Sequence, residues 1–563
     1  MIENNKDNEN EIIIPTDQLV FVPLGGATGI GMNFFAYGYK GKWLIVDCGV
    51  GFPGENLPGV DCLLPDPAFL SERKQDIVGL VITHAHEDHI GAIGYLWHDL
   101  QCPIYCTAFA NELVESRLNE MGLLGRADTH LVEQGGVIDL GPFEVEFISM
   151  NHSLPEPNAL AICTREGLIV HTGDWRLDKD PILGQEPDLE ALKALGDEGV
   201  LALVSDSTNA SGEKSTATEA DVRDTLVRLV GQYPGVHIAV GCFASNVARM
   251  ESIYHAAKEN GRDVCLLGRS LWRIDAAARA TGYFKDIPEF LSEEEALDRP
   301  RGSVLFICTG SQGEDHSALN NLAAVTPNKN SIYFGADDVV IFSSRVIPGN
   351  EKAISLLQKR LAAKGIKIIT DKDDLVHVSG HYAGSDLEKM YQMIRPKIAL
   401  PVHGETLELT YHSKMARKCG VPFVFCLNDG EVLLLSGETP EVLGEVHAGI
   451  LAVDGKQIIP LNAEVIKKRR KMMDEGSAVL TLVLDKDGHV LGQPQLSTFG
   501  LLASDSADNS EILERITNVM AEIAPDKLQD DLFINETMRH TIRQFLSEKY
   551  GKKPLMDIHL IRV

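Results

Sequence analysis

The chain has 563 residues, of which 44% are hydrophobic and 24% charged; this excludes global disorder and leaves room for about three or four domains. Acidic residues outnumber basic ones 81 to 52, a formal net charge of −29. That balance argues against a surface binding polyanions everywhere, but not against a local groove whose field a basic patch or a metal ion reverses.

The first residues, 1–11, are polar and acidic, without the basic and apolar regions of a signal peptide. No apolar stretch approaches the ~18 residues of a membrane span. Ten cysteines are scattered through the chain with no CxxC pair. Most sit in or beside apolar runs, which predicts reduced, buried thiols and a cytoplasmic setting.

Strands are predicted at 19–24, 32–37 and 43–46. Between the first two, Gly25-Gly26-Ala27-Thr28-Gly29-Ile30-Gly31 looks like a dinucleotide fingerprint, yet it leads into the strand-like Met32-Asn33-Phe34-Phe35-Ala36. A phosphate cradle needs a helix there, so a tight hairpin is expected. Further strands at 77–83, 103–107, 143–150, 159–164 and 168–172, with a helix over 111–121, predict a sheet-on-sheet layer flanked by helices.

Beyond 216 the rhythm changes. Helices over 220–230, 246–258 and 271–280 alternate with strands at 236–240, 264–267, 303–308 and 338–342, the pattern of a parallel α/β layer. Two more units follow near 366–370 and 398–402. The expected organisation is a first domain segment 1–215, an insertion 216–365, a return segment 366–447, a glycine-containing linker 448–463 and a small α/β domain 464–563. That last domain holds strands near 478–484 and 490–495, two helices and a closing strand at 558–563.

Thr83-His84-Ala85-His86-Glu87-Asp88-His89 follows an apolar strand directly. Three imidazoles and a carboxylate on one strand-to-helix loop can converge on a point, and they are what zinc or manganese accepts. His152, Asp174 and His403 each fall at the C-terminal end of an apolar run, where a sheet collects its functional loops. Alone, each would read as a loop residue or a helix cap; with the cluster they form a coherent ligand set. His171, inside its strand, reads as a packed residue.

These residues resemble the metallo-β-lactamase-fold hydrolases of the β-CASP group, and within it the ribonuclease J family. The likeness rests on His84-x-His86-x-Asp88-His89, His152 and His-Thr-Gly-Asp174. It rests also on Asp206 in Val-Ser-Asp-Ser-Thr-Asn, His381 in His377-Val378-Ser379-Gly380-His381, and His403 in Pro-Val-His-Gly-Glu. Longer strings add to it: Phe243-Ala-Ser245-Asn246, Gly268-Arg-Ser270, Cys308-Thr-Gly-Ser-Gln-Gly-Glu314 and Ile347-Pro-Gly-Asn-Glu351. It runs from about residue 19 to the last strand. Ala92, Trp175, Tyr382 and Asp315-His316 depart from the commoner family residues, and none of them removes a ligand.

The resemblance implies an αββα sandwich with an inserted β-CASP α/β domain and a small C-terminal α/β domain. It implies two divalent ions, zinc in the site with manganese or magnesium able to support activity. His84, His86 and His152 would hold one ion, Asp88, His89 and His403 the other, and Asp174 would bridge. Such a pair activates water and holds phosphodiester oxygens. His381 would be the general acid, with Asp206 favouring its charged form; on its residues alone Asp206 reads as a turn carboxylate.

His377, Val378, Ser379, Gly380 and His381, with Ser245 and Asn246, would form the pocket for an RNA 5′-monophosphate, against which a plain helix cap is the alternative. Gly59, Asp61 and Asp454 resemble a structural calcium site, with a solvated turn as the alternative. Arg249, Arg269 and Arg345 are candidate phosphate partners, with a surface or salt-bridged arginine as the commoner alternative for each, and the basic run 467–471 reads as the solvated face of a linking helix ahead of an RNA contact.

The implied activity is a 5′→3′ exoribonuclease on single-stranded RNA that can also cut internally, in RNA maturation and decay, assembled as a homodimer or homotetramer. A β-CASP nuclease on DNA, another hydrolase of the same fold, and a non-catalytic RNA-binding protein are the competing readings.

Overall fold

Long apolar runs at the start of the chain become strands because each has a neighbour to pair with. The computed structural model describes residues 12–212, 217–324, 331–503 and 506–563; the polar start 1–11 and the expected boundary at 215/216 lie outside them. Val20–Gly25 pairs antiparallel with Phe34–Tyr39, with Val22 opposite Ala36. The glycine-rich segment is therefore the connection of a hairpin, and a strand rather than a helix follows it. Gly26 has φ +80°, and a Cβ there would stand 2.7 Å from the Asn33 side chain, so the turn requires glycine at that position.

Two sheets form the sandwich. One has eight strands, including Val20–Gly25, Phe34–Tyr39, Lys42–Val46 and Ile77–Val81; the other has seven, including Phe143–Ser149, Asn158–Thr164, Gly167–His171, Val200–Asp206 and Ile398–Val402. Their facing sides share one apolar core: Phe21, Phe35 and Val46 from the first meet Phe147, Leu160, Ile169, Val204 and Leu400 from the second. On the other face of the seven-stranded sheet, Met150, Val170 and Trp175 pack with Leu192, Leu387, Met390 and Tyr391 of the helices Leu189–Glu198 and Gly384–Ile394. This is the αββα layering. Gly167–His171, Val200–Asp206 and Ile398–Val402 lie side by side and parallel, so their C-terminal ends open on one rim.

The insertion is a second sheet system. Asp263–Leu267, Val304–Cys308, Ile238–Gly241, Val339–Phe342 and Lys367–Ile369 form a five-stranded sheet in that order, parallel throughout. The sequence places the end of the insertion at residue 365. Lys367–Ile369 pairs with Val339–Phe342, so the insertion's sheet extends past it.

The C-terminal unit comprises 451–563 with 53–62. Ser477–Leu484 is its central strand, alternating half-buried and buried, flanked by Gln495–Phe499 and Leu555–Arg562. The helices Ala507–Glu522 and Asp531–Tyr550 supply Ile512, Ile516, Met538 and Ile542 to its core. Two expectations change in this part of the chain. The second strand lies at Gln495–Phe499 rather than 490–495. The segment read as a linker, 448–463, contains the strand pair Ile450–Asp454 and Gln457–Pro460. The basic run lies on the helix Glu464–Glu475, where Lys468 pairs with Glu464. All ten cysteines are free thiols, and no helix among the described residues is long and apolar enough to cross a membrane.

Candidate metal centre

The buried strand Ile77–Val81 delivers the segment 83–89 to the rim where the parallel strands end. There the side chains predicted from separate runs come together. The ligand atoms of His84, His86, His152 and Asp174 lie within 4.8 Å of one another, as do those of Asp88, His89, Asp174 and His403. Asp174 belongs to both groups. Its Oδ2 lies 3.7 Å from His84 Nε2 and from His152 Nε2, and its Oδ1 lies 3.4 Å from His89 Nε2 and 3.6 Å from His403 Nε2. Asp88 Oδ2 stands 3.7 Å from the same nitrogens of His89 and His403.

The electrostatics suit cations. Burial and neighbouring imidazoles hold His84 and His152 well below the ordinary range, and burial pushes His86 down to about 4. These rings are neutral at pH 7 and offer lone pairs. Asp174 is held well below the carboxylate range by His403, His89 and His381, which outweigh its burial. Its Oδ1 is buried and has no hydrogen-bond partner. A buried carboxylate oxygen left unpaired costs several kcal/mol unless it is compensated (roughly 2–7 for a neutral polar group). A buried carboxylate with one oxygen toward His84 and His152 and the other toward His89 and His403 fits divalent metal binding.

His381 and Asp206 form a third group with Asp174. His381 Nδ1 donates to Asp206 Oδ2 at 2.9 Å and lies 3.9 Å from Asp174 Oδ2. Burial opposes the charge on His381, but Asp206 and then Asp174 overcome it and raise the imidazole to about 9. The turn reading of Asp206 also holds, because its Oδ1 accepts from Thr208 N at 2.7 Å. One oxygen builds the turn while the other holds the histidine.

The loop 377–381 lies against this cluster. Gly380 O accepts from His152 Nδ1 at 2.7 Å. Asn246, Val378, Ser379 and Gly380 line one small cavity with Ser153 and Arg176, while Ser245 lies outside that lining. Asn246 also caps its helix, accepting from Arg249 N at 2.9 Å. Ser379 Oγ accepts from Asn209 Nδ2 at 2.9 Å and from His381 N at 3.2 Å. His377 is held well below its ordinary range by burial and by Arg249.

Arg249 takes the salt-bridged alternative rather than the role of a phosphate partner. It is fully buried, with its donors directed at Glu219, Ser343 and Val376. Arg345 is exposed and donates to Asn209 Oδ1; Arg269 is exposed at the start of Arg269–Ala280. In the C-terminal unit, Arg469 pairs with Asp454 at 2.7 Å and reaches Gly59 O at 3.5 Å, while Asp61 Oδ2 accepts from Gly455 N. A guanidinium thus already faces two of the three groups read as calcium ligands, which weighs against an ion there.

Comparison with known proteins bears on the family. The family described as "Ribonuclease J, beta-CASP domain" matches residues 236–361, "Metallo-beta-lactamase superfamily" 29–202, "Zn-dependent metallo-hydrolase RNA specificity domain" 349–424 and "Ribonuclease J C-terminal domain" 464–563. "Ribonuclease J" of Sinorhizobium meliloti is 40% identical over 554 residues, covering 97% of this chain and 98% of that protein. The chain belongs to the ribonuclease J family. "Ribonuclease J 1" of Streptococcus pyogenes is 32% identical, covering 96% of this chain and 97% of its own. "Ribonuclease J" of Thermus thermophilus is 33% identical, covering 96% and 95%. Among solved structures, a protein of unknown function from Enterococcus faecalis aligns with a TM-score of 0.52 at 18% identity, over 74% of this chain and 99% of that one; it shares the fold.

This ribonuclease J family member has two site residues that its motifs did not reveal. Asp47, fully buried with φ +60°, accepts from His89 Nδ1 at 2.7 Å and from Thr83 N and Oγ1 at 2.8 Å. A non-glycine residue held in that backbone region is costly, and such strain gathers at functional sites. Asn33 Oδ1 accepts from His403 Nδ1 at 3.0 Å. Asp47 ends the apolar run Lys42–Val46, the same strand-end placement that marks Asp174. Replacing Asp47 by alanine should weaken metal binding about 10–100-fold, measured by titrating zinc into chelator-stripped protein. Unchanged affinity would show that His89 needs no such partner.

Proposed function

We propose that this chain is a metal-dependent ribonuclease that hydrolyses the phosphodiesters of single-stranded RNA. We infer a 5′→3′ exonuclease that prefers 5′-monophosphate ends and also cuts internally. The observation that carries this reading is the junction of three parts. The His381–Asp206 pair stands beside Asp174, and the loop bearing His381 also bonds to His152.

His84, His86 and His152 would hold one divalent ion and Asp88, His89 and His403 the other, with Asp174 shared; zinc suits the imidazole-rich donors. When bound, such ions lower the pKa of water and neutralise the charge of the phosphodiester oxygens. The residues of the chain do the rest. Asp206 fixes the ring of His381 through Nδ1, which leaves the Nε2 proton for the substrate. As water attacks phosphorus it gives up one proton to solvent, the bond to the 3′-oxygen breaks, and the His381 proton passes to the departing oxygen. Ser379, Asn246 and the amides of 378–380 offer donors for a terminal phosphate close to His152. A chain end held there would present its first linkage to the metals, which gives one-nucleotide steps. Manganese or magnesium would support activity as well. We further propose a cytoplasmic protein whose C-terminal domain assists pairing into a dimer or tetramer.

The test uses one uniformly labelled RNA bearing a 5′-monophosphate or a 5′-triphosphate, with Mn²⁺ or Mg²⁺. Mononucleotides released mainly from the monophosphate form are expected. Internal fragments alone, with no mononucleotide release favoured by the 5′-monophosphate, would sink the pocket's role, and cleavage of DNA but not RNA would replace the substrate.

A further inference from the structure

Below the His381–Asp206 pair lies a buried histidine that the reaction does not use. His412 lies on the helix Thr406–Lys418, which follows His403. His412 and Ser207 are completely buried and Tyr391 is 2% exposed. The imidazole is hydrogen-bonded on both sides, 2.8 Å from Ser207 Oγ through Nδ1 and 2.8 Å from Tyr391 OH through Nε2. Burial pushes it down to about 4 against the pull of Asp206. The ring is therefore neutral at pH 7, with one N–H to give and one lone pair to fill, and both hydroxyls can serve in either role.

Ser207 is the residue on which the rim turns. It follows Asp206 directly. Its N–H bonds to His403 O at 3.4 Å, and Thr208 Oγ1 reaches the same oxygen at 3.3 Å. Its other side is closed by Gly404, where an added Cβ would stand 2.8 Å from Ser207 Cβ. Ser207 is thus wedged between His412 and the residue after His403. Any shift of Ser207 carries Asp206 on one side and the His403 backbone on the other.

We propose that His412 is a positioning residue, which through Ser207 sets the 206–208 turn and so aims Asp206 at His381. The assignment rests on the role of the His381–Asp206 pair proposed above. Tyr391, on the helix Gly384–Ile394, fixes the far side of the ring, so the ring ties Ser207 to a helix packed outside the sheet.

The bond to Ser207 carries the effect, and this separates positioning from simple core filling. Asparagine places its amide where Nδ1 lies and glutamine where Nε2 lies. His412→Asn should keep kcat within roughly tenfold of wild type, while His412→Gln and His412→Phe should lose on the order of 10²-fold, with KM and bound metal unchanged. A second readout does not need turnover. Hydrogen exchange at the Thr208 amide, which bonds to Asp206, should stay slow in the asparagine variant and quicken in the other two. Equal losses in the asparagine and glutamine variants, or losses that only track thermal stability, would overturn the proposal. If wild-type protein turns over no RNA, the functional reading fails; the Thr208 contrast then still decides whether His412 sets the turn.

Discussion

Asp174→Asn should abolish metal retention while leaving the fold in place. Asp174 is common to both candidate ion groups and to the His381–Asp206 group, so no other single side chain touches so much of the site. Asparagine keeps the shape but offers one neutral oxygen in place of two anionic ones. In the metal-free protein the change removes a carboxylate that His403, His89 and His381 favour in its charged form, so the thermal midpoint without metal should fall modestly. In wild type, zinc should raise that midpoint, because a ligand bound only by the native state stabilises it; in the variant the rise should vanish. RNA cleavage should drop on the order of 10³-fold. A variant that keeps two equivalents of zinc by elemental analysis would show that Asp174 is not the shared ligand.

His381→Ala should separate chemistry from metal binding. No ligand in either ion group is removed, so metal content should match wild type, while kcat falls by roughly 10²–10⁴-fold, the range for loss of a general acid. Asp206→Asn should cost less, because the imidazole remains but loses the partner that favours its charge. The double variant should be no worse than His381→Ala alone, since the two residues act as a unit. Additive losses in single-turnover cleavage would mean that Asp206 works by another route. Loss of metal in His381→Ala would move the histidine into the ligand set.

Much of this site could be read before its geometry, for a physical reason. Ligands grouped on one strand-to-helix loop, as in 83–89, leave a local pattern, and isolated ligands leave a weaker one where a polar residue ends an apolar run. Asp47 obeys that second rule, but a single aspartate after a strand is common and announces nothing by itself. Arg249 is undecided in the sequence because a guanidinium serves a phosphate contact and a salt bridge equally well. Its burial depends on Glu219, thirty positions away, and no spacing rule links the two. His412 was invisible for the same reason, since its partners come from a strand end and from another helix. In the fold, apolar alternation and glycine-rich turns located the strands of the sandwich. The strand Lys367–Ile369 has only three residues, too few to say which sheet it joins, and the hairpin within 448–463 is similarly short.

The parallel pairing of Val200–Asp206 with Ile398–Val402, Asp206 beside Val402, has a consequence for synthesis. The two strands are neighbours in space, yet the whole insertion is translated between them. While the ribosome is still making that insertion, the growing chain already carries His84, His86, Asp88, His89, His152 and Asp174. It lacks His381, His403, and the strand against which Asp206 is held. Non-local pairing of this kind must wait for its distant partner. The centre stays chemically unfinished for most of translation, and the nascent chain is disarmed beside the message that encodes it.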